Sequence, residues 1–210
     1  MRACVHTGSR ARWCGVTVRL AVLVSGGGTT LQNFLDRIAD GRMDASVEVV
    51  ISSNPAAYAL DRARGAGIGT HVVRRRDFET QEAFSDAITA VLERYEFDLV
   101  ALAGFTQRYV FPKRFEGRVL NVHPGLLPKF GGQGMWGHHV HEAVLAAGET
   151  ESGCSVIIAD HEYDHGPVVV EKKVPVLPDD TPDTLAARVF EAEREAYPAA
   201  IRLMVKKLGL

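Results

Sequence analysis

Cysteine is scarce and long apolar stretches are missing from this 210-residue sequence, and each absence closes off a class of protein. The three cysteines, Cys4, Cys14 and Cys154, form an odd, widely separated set without metal-ligand spacing, so neither a disulfide framework nor a zinc site is read from them. That usage belongs to a reducing compartment and points to a cytoplasmic chain. No apolar run approaches the ~20 residues of a membrane helix, which removes a membrane-spanning role. Excess charge is lacking too: a formal net charge of -2 gives no basis for a nucleic-acid or membrane-surface partner. The partners that remain are small molecules.

What is present is the composition of an ordinary globular protein, 46% hydrophobic and 24% charged, at a length that suits one well-buried α/β domain. Met1 to about Gly15 stands apart, being basic, without apolar period, and home to two of the three cysteines. It fails as a signal peptide, because the apolar run Leu20 to Val24 is short, Arg19 interrupts it, and glycines follow. Residues 1–17 are read as a disordered tail or a start assigned too far upstream, and 18–210 as the domain.

Val18 to Val24 is a continuous apolar run bounded by Ser25 and three glycines, the pattern of a parallel strand buried on both faces. Gly26-Gly27-Gly28-Thr29-Thr30-Leu31 then turns into an amphipathic helix carrying Leu31, Phe34, Leu35 and Ile38. Such a turn points backbone N–H groups at an anion, and Thr29 and Thr30 add hydroxyl donors. The loop lacks the lysine of a P-loop. Leu31 stands where a dinucleotide site wants its third glycine, and the second strand, Val47 to Ile51, runs into Ser52-Ser53-Asn54 and not into an acid. A phosphomonoester site remains, beside the alternative of a tight turn that binds nothing.

Farther on, the pattern predicts a helix within 55–67, a short strand from Gly69 to Val73, and a helix from about Thr80 to Tyr95 with Phe84, Ile88, Val91 and Leu92 as its core stripe. Arg74-Arg75-Arg76 reads as a solvated charge run. Asp98 to Phe105 is a buried strand whose Gly104 opens a loop at the carboxyl edge, where ligands of open α/β sheets gather. Gly153 to Ala159 is a strand, and Val168 to Val176 an antiparallel edge marked by Pro175. The last helix starts at Thr181-Pro182 and carries Leu185, Val189 and Phe190 inward. The fold class is α/β: a doubly wound, mostly parallel sheet with an antiparallel extension.

The chemistry gathers in Val119-Leu120-Asn121-Val122-His123-Pro124, a strand end on which Asn121 and His123 project to the same face. Pro124 stops the strand and favours an extended His123. An amide donor suits a developing oxyanion, and an imidazole moves protons near neutrality. No nucleophile stands beside them, so the substrate must bring its own, which points to acyl transfer onto an amine. His138, His139 and His141 raise a metal reading, but no nearby cysteine or spaced acid completes a ligand set, and they read as helix-entry histidines. Lys129 to Gly137 is too rich in glycine for helix or strand and reads as a cover.

Asn121-Val122-His123-Pro124, Leu126-Leu127-Pro128 and Tyr163-Asp164-His165-Gly166-Pro167 together resemble the folate-dependent formyltransferases over about Val18 to Lys207. The resemblance implies a Rossmann-like formyltransferase fold, 10-formyltetrahydrofolate as co-substrate, no metal, and the amine of 5-phosphoribosylglycinamide as acceptor, in purine (IMP) biosynthesis. It places Asn121, His123 and Asp164 in catalysis. It assigns the ribose phosphate to Gly28, Thr29 and Thr30, with Thr in place of the family's usual Ser and Asn, and the glycinamide end to Glu193. Folate falls to Gln81, Thr106, Gln107, Arg108, Tyr109 and Asn121, although Gln81 and the 105–118 loop depart from the family pattern. His139 and His141 match positions lining the site, and Ile157 stands where many members have His. Methionyl-tRNA, water and a sugar nucleotide are the rival acceptors, and a non-catalytic nucleotide-binding module is the rival from another class. The tRNA and water-using relatives carry a further domain after or before this one, which the chain's length does not lead one to expect. The assembly is expected to be a monomer or homodimer.

Overall fold

The computed structural model describes residues 17–210; apart from Thr17, the expected tail lies outside the described residues. Seven strands form one sheet: β1 (Val18–Val24), β2 (Ala45–Ser52), β3 (Gly69–Val72), β4 (Leu99–Leu102), β5 (Val119–His123), β6 (Glu151–Ile158) and β7 (Val168–Pro175). Their order is β3-β2-β1-β4-β5-β6-β7, parallel from β3 to β5, with β6 and β7 antiparallel. Five α-helices flank the sheet among the described residues: α1 (Thr29–Ala39), α2 (Tyr58–Gly65), α3 (Gln81–Leu92), α4 (His138–Ala146) and α5 (Pro182–Leu208). Strand alternation divides the core between two layers. Leu20, Val22 and Val24 join α1, α2, α4 and α5 on one face, while Ala21 and Leu23 meet Phe84, Ile88 and Leu92 of α3 on the other. Because both faces are covered, Leu20 to Val24 has no polar position to alternate with, which is why it reads as an apolar run, while Arg19 near the start of β1 pairs with Asp98 and Glu96.

The chain winds outward in opposite directions from β1 and β4, so a crevice opens at their carboxyl ends. Ser25 ties the loops there together. Its N–H donates to the Gly104 carbonyl (3.1 Å), its Oγ accepts from the Thr106 N–H (3.0 Å), and the same Oγ lies 2.7 Å from Ser53 Oγ. The expected elements are found with small shifts at their ends.

One feature of α5 differs from the pattern-based expectation. Phe190 is half-buried and lines the crevice instead of the core, whereas Leu185 and Val189 are buried as expected. The helix also continues through Pro198 to Leu208. Proline cannot donate to the carbonyl four residues back, and here Asn33 Nδ2 of α1 donates to that Arg194 carbonyl at 3.0 Å. A side chain from another helix thus fills the gap left in the ladder.

Candidate active site

A cleft of about 580 Å³ opens at the crevice, within the range of small-molecule sites. Its walls include Thr29 and Thr30 of α1, Gly104 to Thr106 after β4, Asn121 and His123 of β5, the 132–137 segment, Tyr163 and Asp164, and the first half of α5. A side pocket of about 60 Å³ shares Phe105, Asn121, Tyr163 and Asp164 with it and adds Gln107, Arg108 and Tyr109. That volume is too small for a ligand by itself, so the pocket is an extension of the cleft.

Asp164 is where the chemistry converges. Asn121 Nδ2 donates to its Oδ1 at 3.1 Å, the Gly132 N–H donates to its Oδ2 at 3.1 Å, and His123 Nδ1 stands 3.3 Å from the same Oδ2. His123 is 2% exposed, and its Nε2 lies 2.8 Å from the Phe130 carbonyl oxygen. Asp164 has φ 53, a left-handed conformation that Asp tolerates better than most residues. The three side chains forecast from the strand and the distant motif are therefore brought together, with the amide and the imidazole on one face of β5.

Across the cleft, Thr30 Oγ1 donates to Glu193 Oε1 at 2.5 Å, and both residues are buried. Burial pushes the Glu193 carboxyl above its ordinary value, opposed by the Thr30 hydrogen bond. The Thr30 hydroxyl is consequently committed to Glu193, whereas Thr29 is exposed. Gly28 caps α1 in the left-handed region (φ 71), and a Cβ there would lie 2.5 Å from Ala59 Cβ. Its role is thus fixed by packing, whereas Gly26 and Gly27 have open space around them. Arg62 reinforces the loop by donating from Nε to the Gly27 carbonyl at 2.8 Å.

The residues expected at the folate end are divided. Thr106 lines the cleft and Gln107 and Arg108 line the side pocket. Tyr109 reaches the pocket only from the core: it is 4% exposed, its hydroxyl pairs with Thr89 Oγ1 at 2.9 Å, and burial raises its pKa. Gln81 lies outside both linings, donating to the Arg108 carbonyl and accepting from Arg75 Nε at 3.1 Å, so it braces the loop. His141 lines the cleft, 3% exposed; burial and the neighbouring His138 and His123 push its pKa down to about 4. His139 instead faces Glu142 and Trp136. Among the described residues no group of three or more His, Cys, Asp or Glu could hold a metal ion.

Pattern reasoning missed the contribution of backbone atoms, namely the Phe130 carbonyl and the Gly132 N–H. The one signal for them is the glycine run that starts at Gly131, where a Cβ would lie 2.5 Å from Leu127 Cδ2.

The mostly parallel sheet brings an amide, an imidazole and a carboxylate together at its carboxyl edge, and the sequence pattern of the formyl transferase family matches residues 18–201: the chain belongs to that family. It is 37% identical over 186 residues to the phosphoribosylglycinamide formyltransferase of Escherichia coli (strain K12), covering 88% of this chain and 85% of that protein. The trifunctional purine biosynthetic protein adenosine-3 of Drosophila melanogaster is 39% identical over 196 residues, 91% of this chain, which spans only 14% of that longer relative. The crystal structure of glycinamide ribonucleotide transformylase 1 from Symbiobacterium toebii superposes with a TM-score of 0.85 at 36% identity, covering 95% of this chain and 94% of the other.

Proposed function

We propose that this chain transfers the formyl group of 10-formyltetrahydrofolate to the amine of 5-phosphoribosylglycinamide, an early step of IMP synthesis. The observation that carries the reading is the convergence of Asn121 and His123 on Asp164 in a cleft also lined by Glu193 and by Thr29 and Thr30, which follow the glycine run. The names of the E. coli and S. toebii relatives support the choice of acceptor. No helix among the described residues is long and apolar enough to cross a membrane.

The residues divide the work by what they can donate or accept. Open backbone N–H groups of the 26–30 loop, at the positive end of α1, take the phosphate. Glu193 orients the amine. Phe105, Thr106, Gln107 and Arg108 receive the folate, with the side pocket as part of its seat. As the amine attacks the formyl carbon, the carbonyl electrons move onto oxygen; the second Nδ2 hydrogen of Asn121 and a proton on His123 Nδ1 stabilise that oxyanion. Asp164 accepts the surplus ammonium proton, directly or through water. Collapse breaks the bond from carbon to the folate nitrogen, which takes up the proton as tetrahydrofolate leaves, so atoms and charge balance. The protein offers no cysteine for the attack among the described residues: Cys154 is buried, and burial pushes its thiol up to about 12.

Formyl transfer measured with several acceptors tests this reading. 5-Phosphoribosylglycinamide should be turned over at least about 10²-fold faster than its dephosphorylated form, since each charge-assisted hydrogen bond to the phosphate contributes about 1.5–3 kcal/mol. Preferential turnover of methionyl-tRNA, a sugar nucleotide or water would reassign the acceptor.

A further inference from the structure

Asp164 is only half of what holds His123. The Nε2 atom lies 2.8 Å from the Phe130 carbonyl oxygen, and a carbonyl can only accept, so the ring carries a proton on Nε2. Nδ1, 3.3 Å from Asp164 Oδ2, is then the nitrogen left facing the carboxylate, to which the Asn121 amide also donates. The backbone that aims the carbonyl is in an uncommon state: Phe130 has φ 54, a region unfavourable for a bulky side chain unless its surroundings impose it. The surroundings do so here. A Cβ on Gly131 would come within 2.5 Å of Leu127 Cδ2 and 3.3 Å of Asp164 Cβ, and the next residue, Gly132, donates its N–H to Asp164. Gly125 crowds the ring as well, since a Cβ there would lie 3.0 Å from His123 Nε2. The chain thus passes the imidazole and the carboxylate at contact distance, one backbone group assigned to each.

We propose that Phe130 is a positioning residue: its left-handed backbone aims its carbonyl at Nε2 of His123, holds the neutral ring in the Nε2–H tautomer, and leaves Nδ1 as the nitrogen that gains and donates the second proton during transfer. The proposal rests on the role given to His123 above. It is separable from the choice of acceptor because the ring can be observed directly.

Long-range 1H–15N correlation spectra of the full chain, labelled with 15N-histidine and assigned with His123→Gln, read the tautomer once the ring is neutral. The wild type should carry its proton on Nε2. Phe130→Gly, which enters the left-handed region freely, should keep that signature and turn over within about threefold of wild type. Phe130→Ile, whose β-branched side chain resists the region, should shift the ring toward a mixture of tautomers and lower kcat by about 10²-fold, the order expected of a misplaced catalytic group, with both KM values little changed. A wild-type ring protonated on Nδ1 overturns the proposal without any variant, and so the test survives a failure of Phe130→Ile to fold. It is overturned equally if Phe130→Ile loses activity with the Nε2–H signature intact, or if the signature is lost and kcat is unchanged.

Discussion

Asp164 accepts from Asn121 and Gly132 and faces His123, so its charge serves several donors at once. Asp164→Asn keeps the volume and removes that charge. On the usual scale of general acid–base catalysis kcat should fall about 10²–10⁴-fold while affinity for both substrates changes little, which steady-state kinetics paired with calorimetric binding will separate. Near-normal turnover would take Asp164 out of the mechanism. Glu193 makes a second residue-level case, through stability. Its folded pKa lies above the ordinary value of 4.5, so the folded state holds the proton more tightly than the unfolded one. The penalty is absent below the unfolded pKa and grows as pH rises through the folded pKa. Glu193→Gln keeps an acceptor for the Thr30 hydroxyl and removes the buried charge; its melting temperature should exceed that of wild type at neutral pH, with the gap closing in acid and activity reduced. A gap that widens in acid would contradict the assignment. At this scale the triad was legible because strand period and Pro124 fix how Asn121 and His123 project, and the 163–167 motif supplies the carboxylate. Gln81 and Tyr109 were not legible as to direction, since a loop has no period to say which way a side chain turns. The Phe130 carbonyl carries no side-chain signal at all.

The element proposed to grip the phosphate is the turn between β1 and α1, and its glycines are not equivalent. Gly28 has φ 71 and sits against Ala59, so Gly28→Ala should destabilise the fold by about 1–3 kcal/mol, lowering the melting temperature by about 3–10 °C in a chain of this size. Gly27 faces open space. Gly27→Val should therefore leave the melting temperature nearly unchanged while weakening 5-phosphoribosylglycinamide much more than folate, as calorimetry with each ligand will show; equal losses for both would place the anion elsewhere. Pattern alone found the loop but could not rank its glycines, because the neighbour that decides between them, Ala59, lies on another helix. The same limit hid the repair of α5. Asn33 is 3% exposed and satisfies the Arg194 carbonyl that Pro198 leaves without a partner. Asn33→Ala should cost about 1–3 kcal/mol by stranding that carbonyl, a loss that thermal melts will register. An unchanged melt would mean that water replaces the amide.

Over the whole molecule, the parallel half of the sheet was readable from strands with no polar alternation, and the antiparallel half from Pro175 at an edge that β7 indeed occupies. What could not be read was how the order β3-β2-β1-β4-β5-β6-β7 brings the loop after β1, the end of β5 and one face of α5 around a single cleft. Phe190 shows the consequence: helical spacing alone marked it as core, yet it faces that cleft. In the proposed reaction the cleft holds formyl donor and amine together and the group passes directly between them, with no formylated protein on the way. A single-turnover experiment with enzyme in excess over 10-formyltetrahydrofolate, with and without 5-phosphoribosylglycinamide, tests this most directly by following tetrahydrofolate release and the mass of the intact protein. Tetrahydrofolate should be released only when the acceptor is present, in step with formylated product and with the protein mass unchanged throughout; a burst of tetrahydrofolate without acceptor, accompanied by a formylated protein, would rule out direct transfer.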